Sequence, residues 1–230
     1  MPTFDIVKTA QPKKTFRVAS VIGTFDLSSE KVTERFSGSI DFPSDWNIGL
    51  IVGNSGTGKT TIARELFPDA YIASYQYEAE SILDDMPENC SVSDITKTFN
   101  SVGFSSVPSW LKPYSVLSNG QKMRVDLARA LLESNDLIVF DEFTSVVDRT
   151  VGRIGSFATQ KAVRKNNKKF IAVTCHDDVE DWLLPDWKFD TNTMQYSRVE
   201  IKKKDQKSES TFTKRRKNNF IGQCLLNTTI

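Results

Sequence analysis

Long apolar runs are missing from this chain of 230 residues. None approaches the roughly 20 residues that a bilayer span needs, so work at a membrane would require another polypeptide to supply the membrane part. The opening residues Met1-Pro2-Thr3-Phe4-Asp5 show no basic-then-apolar signal pattern, and a cytoplasmic location is expected. Cysteine is scarce as well. Cys90, Cys175 and Cys224 are odd in number and far apart, which argues against a disulfide framework or a CxxC metal site and for a reducing interior. Histidine is rarer still, with His176 alone. What remains is ordinary globular composition, 39% hydrophobic and 26% charged, in a chain long enough to bury a core without covalent staples.

The formal net charge of +1 hides an uneven distribution. Residues 201–230 carry Lys202, Lys203, Lys204, Lys207, Lys214, Arg215, Arg216 and Lys217 against Asp205 and Glu209, a balance of +6, which leaves −5 on residues 1–200. An acidic body with a basic tail is a molecule in two parts. Apolar periodicity also stops near Glu200, and KKKDQKSESTFTKRRKNN reads as solvated and disordered. The division is therefore a folded domain over 1–200 and a basic tail over 201–230.

Within the body, apolar runs rich in β-branched residues at 16–27 (FRVASVIGTFDL), 47–53 (NIGLIVG), 70–75 (AYIASY), 137–140 (LIVF) and 169–175 (KFIAVTC) predict strands. Helices are expected after residue 58, where Ile62, Ala63, Leu66 and Phe67 recur at helical spacing, over 120–133 (GQKMRVDLARALLE), and over about 150–165. Residues 79–116 mix helical patches with loops and three prolines. Alternating strands and helices predict an α/β fold, a mostly parallel sheet with helices packed on it.

Gly53-Asn54-Ser55-Gly56-Thr57-Gly58-Lys59-Thr60 matches GxxxxGK[ST] and lies between a predicted strand and a predicted helix, the context that makes the match meaningful. Glycines allow backbone N–H groups to curl around phosphates, and the helix N-terminus favours their negative charge. Lys59 would reach the β- and γ-phosphates, and the Thr60 hydroxyl, followed by Thr61, would ligate magnesium. Asp141 and Glu142 follow the apolar run 137–140. A carboxylate at a strand end beside a phosphate loop suits magnesium through Asp141, and Glu142 is placed to polarise an attacking water. Leu117-Ser118-Asn119-Gly120-Gln121 opens the helix 120–133, where it can cap the helix or offer an anion N–H groups, a hydroxyl and the helix dipole.

LSNGQKMRVDLARALL resembles the signature helix of the ABC ATPases, whose usual form is LSGGQ, and Asp141 follows Gln121 by 20 residues, a spacing similar to the family's. The resemblance covers residues 16–190. It implies a P-loop ATPase with a small antiparallel N-terminal sheet and a helical insert over about 77–135, helices on both faces of the main sheet, and ATP and magnesium as its cofactors. It also implies a head-to-tail homodimer in which Ser118 and Gly120 contact the γ-phosphate held by the partner. Asp148, seven residues after Asp141, looks like the aspartate of the family's D-loop, and Phe143 stands where a proline is usual. His176, after the run 169–175, resembles the switch histidine, and Gln76 the Q-loop glutamine that senses γ-phosphate and magnesium. Adenine is expected on an aromatic side chain upstream of the phosphate loop, with Phe25 as the candidate and Phe16 and Phe36 as rivals.

Only 55 residues separate Thr61 from Leu117, fewer than the resemblance to transporter ATPases implies, so the insert is reduced. With no membrane segment, a short insert and a basic tail, the expected setting is a soluble assembly, one that works on DNA through the tail together with a further protein partner. The alternative is the ATP-hydrolysing subunit of a transporter with separate membrane chains. The stretch VFDEFTSVVDRTV also resembles ABC-like ATPases carried by phages and mobile elements.

If the tail neutralises about five phosphates of duplex DNA, the log–log salt slope of binding should be near −4.5. Removing residues 201–230 should abolish that binding and spare basal ATP hydrolysis. DNA binding by both forms at two salt concentrations is the measurement, and binding that survives truncation undiminished would place the contact on the body.

Overall fold

A computed structural model describes residues 3–13, 15–26, 32–133 and 136–199. The basic tail 201–230 and the DNA contact expected of it lie outside the described residues. Two strands, β1 (Thr3–Ala10) and β2 (Val32–Ser39), pair antiparallel from Thr3 opposite Ser39 to Ala10 opposite Val32. This is the small N-terminal sheet that was expected, built from other residues.

The segment expected to be a strand over 16–27 is instead helix α1 (Phe16–Thr24). Its period explains the correction. Val18, Val21, Ile22 and Phe25 fall at i, i+3, i+4 and i+7, the spacing of one helix face, whereas the β-branched composition alone suggests a strand. Thr15 caps the helix, its hydroxyl accepting from the Val18 N–H at 3.3 Å. Phe16 and Phe25 stand 88% and 69% exposed.

The main sheet takes the order β4-β5-β6-β3-β7-β8. Its members are β3 (Ile48–Val52), β4 (Tyr71–Ile72), β5 (Leu137–Phe140), β6 (Lys169–Thr174), β7 (Trp187–Asp190) and β8 (Gln195–Arg198). All neighbours run parallel except β7 and β8. Strand β4 keeps only two of the six residues expected over 70–75. After Ile72 the chain leaves the sheet, with Ala73 and Ser74 exposed.

Side chains alternate between two cores, as a pleated strand covered on both faces requires. Ile48, Leu50, Val52, Ile138, Phe140, Phe170 and Ala172 face one, and Ile51, Val139, Ile171 and Val173 the other. The first is closed by α3 (Val92–Ser101), α5 (Asn119–Glu133) and α6 (Arg149–Lys165) through Ile95, Phe99, Leu127 and Val163. The second is closed by α2 (Lys59–Leu66) and the β1–β2 ribbon through Ile62, Ala63, Phe4 and Phe36. The helical insert between β4 and β5 contains α3, the short α4 (Val107–Trp110), a single 3₁₀ turn at Tyr114–Val116, and α5. Helix α7 (Val179–Leu183) links β6 to β7.

Strand β3 is anchored at its start. The Asp186 carboxylate accepts from the N–H groups of Asn47 and Ile48 at 2.8 and 2.9 Å, and Arg164 donates to the same carboxylate at 3.0 Å. Beside it, the Trp187 indole packs against β3, where a Cβ on Gly49 would come within 2.1 Å of the ring. Gly49→Ala should therefore destabilise the fold by about 3 kcal/mol, the upper end of ordinary overpacking, because Trp187 is fully buried and wedged between Phe42 and Trp46. Gly23→Ala, in open space on α1, should be neutral or stabilising by up to about 1 kcal/mol. Urea unfolding midpoints of the two variants check both.

Candidate nucleotide site

The loop 53–58 leaves the end of β3 and turns directly into α2. Gly58 occupies the N-cap position at φ 87°, where no side chain caps the helix. The first N–H groups of α2 thus lack both an intrahelical partner and a cap, and that is an anion-binding arrangement. A side chain at Gly58 would be excluded twice, by its left-handed backbone and by the Phe36 ring, 2.5 Å from where a Cβ would stand.

Side chains around the loop hold its shape. The Lys59 ammonium, buried, donates across the loop to the Asn54 carbonyl at 2.7 Å, so its charge sits inside the curl that phosphates would fill. Thr57 donates to the same carbonyl at 2.8 Å, and its hydroxyl lies 2.5 Å from that of Thr191. The Asn54 N–H donates to the Asn192 side chain at 3.0 Å. Ser55 and Gly56 are exposed at the rim. Lys8, from β1, donates to the Thr61 hydroxyl at 2.6 Å and ties the ribbon to α2.

The parallel pairing of β3, β6 and β5 brings Asp141 to this loop. The Thr60 hydroxyl donates to Asp141 Oδ2 at 2.9 Å, and the Tyr71 phenol donates to the same oxygen. The Glu142 N–H donates to Oδ1 at 2.8 Å. Burial, then the bond to Asp141, pushes the Tyr71 phenol's pKa up, which keeps it a donor. Hydroxyl and carboxylate oxygens meeting beside a phosphate loop are the donor set that magnesium takes, its other ligands coming from phosphate and water.

Glu142 and Thr144 sit at φ 51° and 66°, left-handed conformations costing about 1–3 kcal/mol each in non-glycine residues. The surroundings enforce them. Phe143, between the two, is fully buried and donates its N–H to the Val173 carbonyl at 2.9 Å. The turn consequently swings Glu142 out to an exposed position at the strand end.

The segment Ser118–Gln121 forms a reciprocal capping box. The Gln121 N–H donates to the Ser118 hydroxyl oxygen at 3.4 Å, and the Ser118 N–H to the Gln121 side-chain oxygen at 3.1 Å. Because the Ser118 oxygen acts here as an acceptor, its own proton stays available for an incoming anion. Val151 of α6 packs 2.7 Å from where a Cβ on Gly120 would stand. Asp148 caps α6, accepting from the Val151 N–H at 3.0 Å. The next residue, Arg149, grips the Asp178 carboxylate with two nitrogens and lies over the Trp182 ring, joining the start of α6 to the loop that carries half-buried His176.

Gln76 is exposed, but its backbone is fastened from below by residues that the sequence does not single out. Arg129 of α5 donates to the Gln76 carbonyl at 2.8 Å and lies over the rings of Tyr75 and Tyr77. One helical turn earlier, the Asp126 carboxylate accepts from the Tyr77 and Tyr114 phenols, both at 2.8 Å, while those two rings stack 3.9 Å apart. Burial pushes the Asp126 carboxyl up, and the two phenols oppose it by donating to the ionised form. Burial followed by the Asp126 charge raises Tyr77 and Tyr114 far above ordinary phenols. The legible signal was a lone carboxylate on the buried stripe of α5, with three tyrosines crowded into 71–77. Thr191 and Asn192 escape the sequence reading in the same way.

Of the candidates for adenine, Phe36 is packed against the phosphate loop, while Phe16 and Phe25 lie on or just after α1. The loop, Asp141 and Glu142 thus come together at one edge of the sheet, while Ser118 and Asp148 bond within their own helix caps.

Known proteins resemble this chain in sequence and in fold. The model of the ABC transporter family matches residues 65–145, from the end of α2 through the carboxylate turn. The probable peptide export ATP-binding protein YydI of Bacillus subtilis (strain 168) is 26% identical over 152 residues, 58% of this chain and 72% of that protein. The zinc import ATP-binding protein ZnuC of Ruegeria sp. (strain TM1040) is 30% identical over 149 residues, 54% of this chain and 60% of its own length. A bacterial ABC transporter cassette solved as a dimer superposes with TM-score 0.57 at 13% identity, over 85% of this chain and 97% of that one. A bacterial Atm1-family ABC exporter with ATP bound gives 0.52 at 19% identity, over 63% of this chain and 32% of that one. At these identities the structural likenesses establish the fold, and the chain spans less than two thirds of ZnuC and of the exporter. Fold, motifs and sequence matches together liken this chain to the ATPase domains of the ABC class.

Proposed function

We propose that two copies of this chain sandwich two ATP molecules head to tail, each between one protomer's loop 53–60 and the other's Ser118–Gly120, and that hydrolysis reopens the pair. The observation that carries this reading is the capping box. Ser118 presents a free hydroxyl proton and Gly120 a small backbone position at a helix N-terminus, which is what a γ-phosphate delivered by a second protomer would meet. A cassette of the same fold solved as a dimer supports the pairing of two copies.

In this reading the loop N–H groups and Lys59 hold the β- and γ-phosphates, and Lys59 exchanges the Asn54 carbonyl for phosphate oxygens. Thr60 and Asp141 would hold magnesium, with Gln76 as a further ligand, and the metal would supply charge neutralisation for the transferring group. Glu142, turned outward by its strained backbone, takes a proton from the attacking water. His176 donates to the γ-phosphate, and Asp148 shapes the interface between protomers. Because the reaction makes no covalent bond to the protein, positioning and charge supply the catalysis.

Two observations bear on what the cycle drives. YydI and ZnuC carry the names of peptide export and zinc import proteins, and that favours an energising subunit whose membrane chains are separate. Among the described residues no helix is long and apolar enough to cross a membrane. The charge of residues 201–230 favours the other reading, an assembly on DNA. Of the two, the relatives weigh toward the transport subunit, and co-fractionation with membranes against DNA-stimulated hydrolysis separates them.

Glu142→Gln keeps the shape and removes the base, so it should bind ATP, form ATP-dependent dimers in light scattering, and hydrolyse roughly 10²- to 10⁴-fold more slowly. Hydrolysis at the native rate would remove Glu142 from the role.

A further inference from the structure

We infer that Tyr71 is a positioning residue for the metal carboxylate: its phenol fixes the rotation of Asp141 and thereby sets how tightly the site binds its cation. This rests on the reading that Asp141 and Thr60 hold the metal. Three donors converge on this carboxylate from three separate elements. The Glu142 N–H takes Oδ1, while Thr60 from α2 and Tyr71 from β4 both take Oδ2. A carboxylate with donors on both oxygens cannot turn freely about its Cβ–Cγ bond, and outer hydrogen bonds of this kind orient metal ligands and tune their affinity.

The phenol is itself held in place. β4 pairs with β5 so that Tyr71 stands opposite Val139, two residues before Asp141, and the Asp141 N–H reaches back to the Ile72 carbonyl at 3.4 Å. The Arg64 guanidinium, one turn along α2 from Thr60, lies 4.8 Å over the Tyr71 ring and places Nη2 3.4 Å from its hydroxyl. Arg64 therefore restrains the ring from one face while the β4–β5 ladder restrains its backbone. The Thr60 hydroxyl donates its proton to Asp141 and keeps oxygen lone pairs to offer a cation. Tyr71 has no such second duty, so of the two side-chain donors it is the one that serves orientation alone. The same pairing explains why β4 persists for two residues on the edge of the sheet: Tyr71 and Ile72 are the residues that reach Asp141.

The test uses the full chain in the Glu142→Gln background, so that nucleotide persists, with Mn²⁺ as the probe. Mn²⁺ affinity of the ATP-loaded protein is read by electron paramagnetic resonance, and ATP affinity without metal by a fluorescent analogue in EDTA. Tyr71→Phe keeps the ring and removes the donor. It should weaken Mn²⁺ binding by roughly 10- to 100-fold, the usual cost of losing such a hydrogen bond, with metal-free ATP affinity unchanged within about twofold. Asp141→Asn should lose at least as much. Native Mn²⁺ affinity in Tyr71→Phe beside a large loss in Asp141→Asn would overturn the inference and leave the metal reading standing. Unchanged Mn²⁺ affinity in Asp141→Asn would overturn that reading, and the inference with it. Equal losses of metal-free ATP and Mn²⁺ affinity in Tyr71→Phe would assign the phenol a merely structural role and also overturn the inference.

Discussion

Strand β3 runs parallel to β6, and β6 to β5, so the three release their following loops at the same edge of the sheet. Everything at the candidate site depends on that pairing. Thr60 and Asp141 are 81 residues apart in sequence and share a hydrogen bond because the ladders Leu50–Ala172 and Val139–Ile171 hold their strands in register. Crevices at the carboxyl ends of parallel strands are where such folds bind ligands. Here the crevice is lined by an uncapped helix start, a buried ammonium and a carboxylate turn. A one-residue slip of β5 against β6 would move Asp141 off the loop and turn its apolar side chains toward the wrong core.

The insert makes a second unit of the same kind. Asp126, Arg129 and Glu133 occupy successive turns of α5, the helix whose N-terminus carries Ser118 and Gly120. Through Arg129 and the tyrosines, that helix holds the segment around Gln76. The backbone around Gln76 and the segment Ser118–Gly120 are therefore attached to the same helix. A similar tie runs from Arg149, just after Asp148, to Asp178, two residues past His176.

What the sequence made legible was local. The motifs at 53–60, 117–121 and 141–142 each lie within eight residues, and their strand or helix context follows from short-range periodicity. Helix α1 shows the limit of that method, since β-branched composition pointed to a strand while spacing at i, i+3, i+4 and i+7 carried the truth. The short β4 shows another, because a strand's length is set by its neighbour. Tyr71, Arg129 and Asn192 were not legible for a single reason. Their partners lie 70, 53 and 138 residues away, and only the fold brings them together. The outward turn of Glu142 belongs to the same group, for it is imposed by Phe143 bonding to Val173.

The central claim is that each nucleotide site is completed by the other protomer, and complementation tests it most directly. Lys59→Ala disables the loop and leaves the signature segment intact, whereas Ser118→Arg does the reverse. Each variant alone should be inactive. Mixed in equal amounts they should recover roughly a quarter of the native hydrolysis rate, because half the dimers are heterodimers and each of those has one whole site of its two. A mixture no more active than its two components would contradict the account.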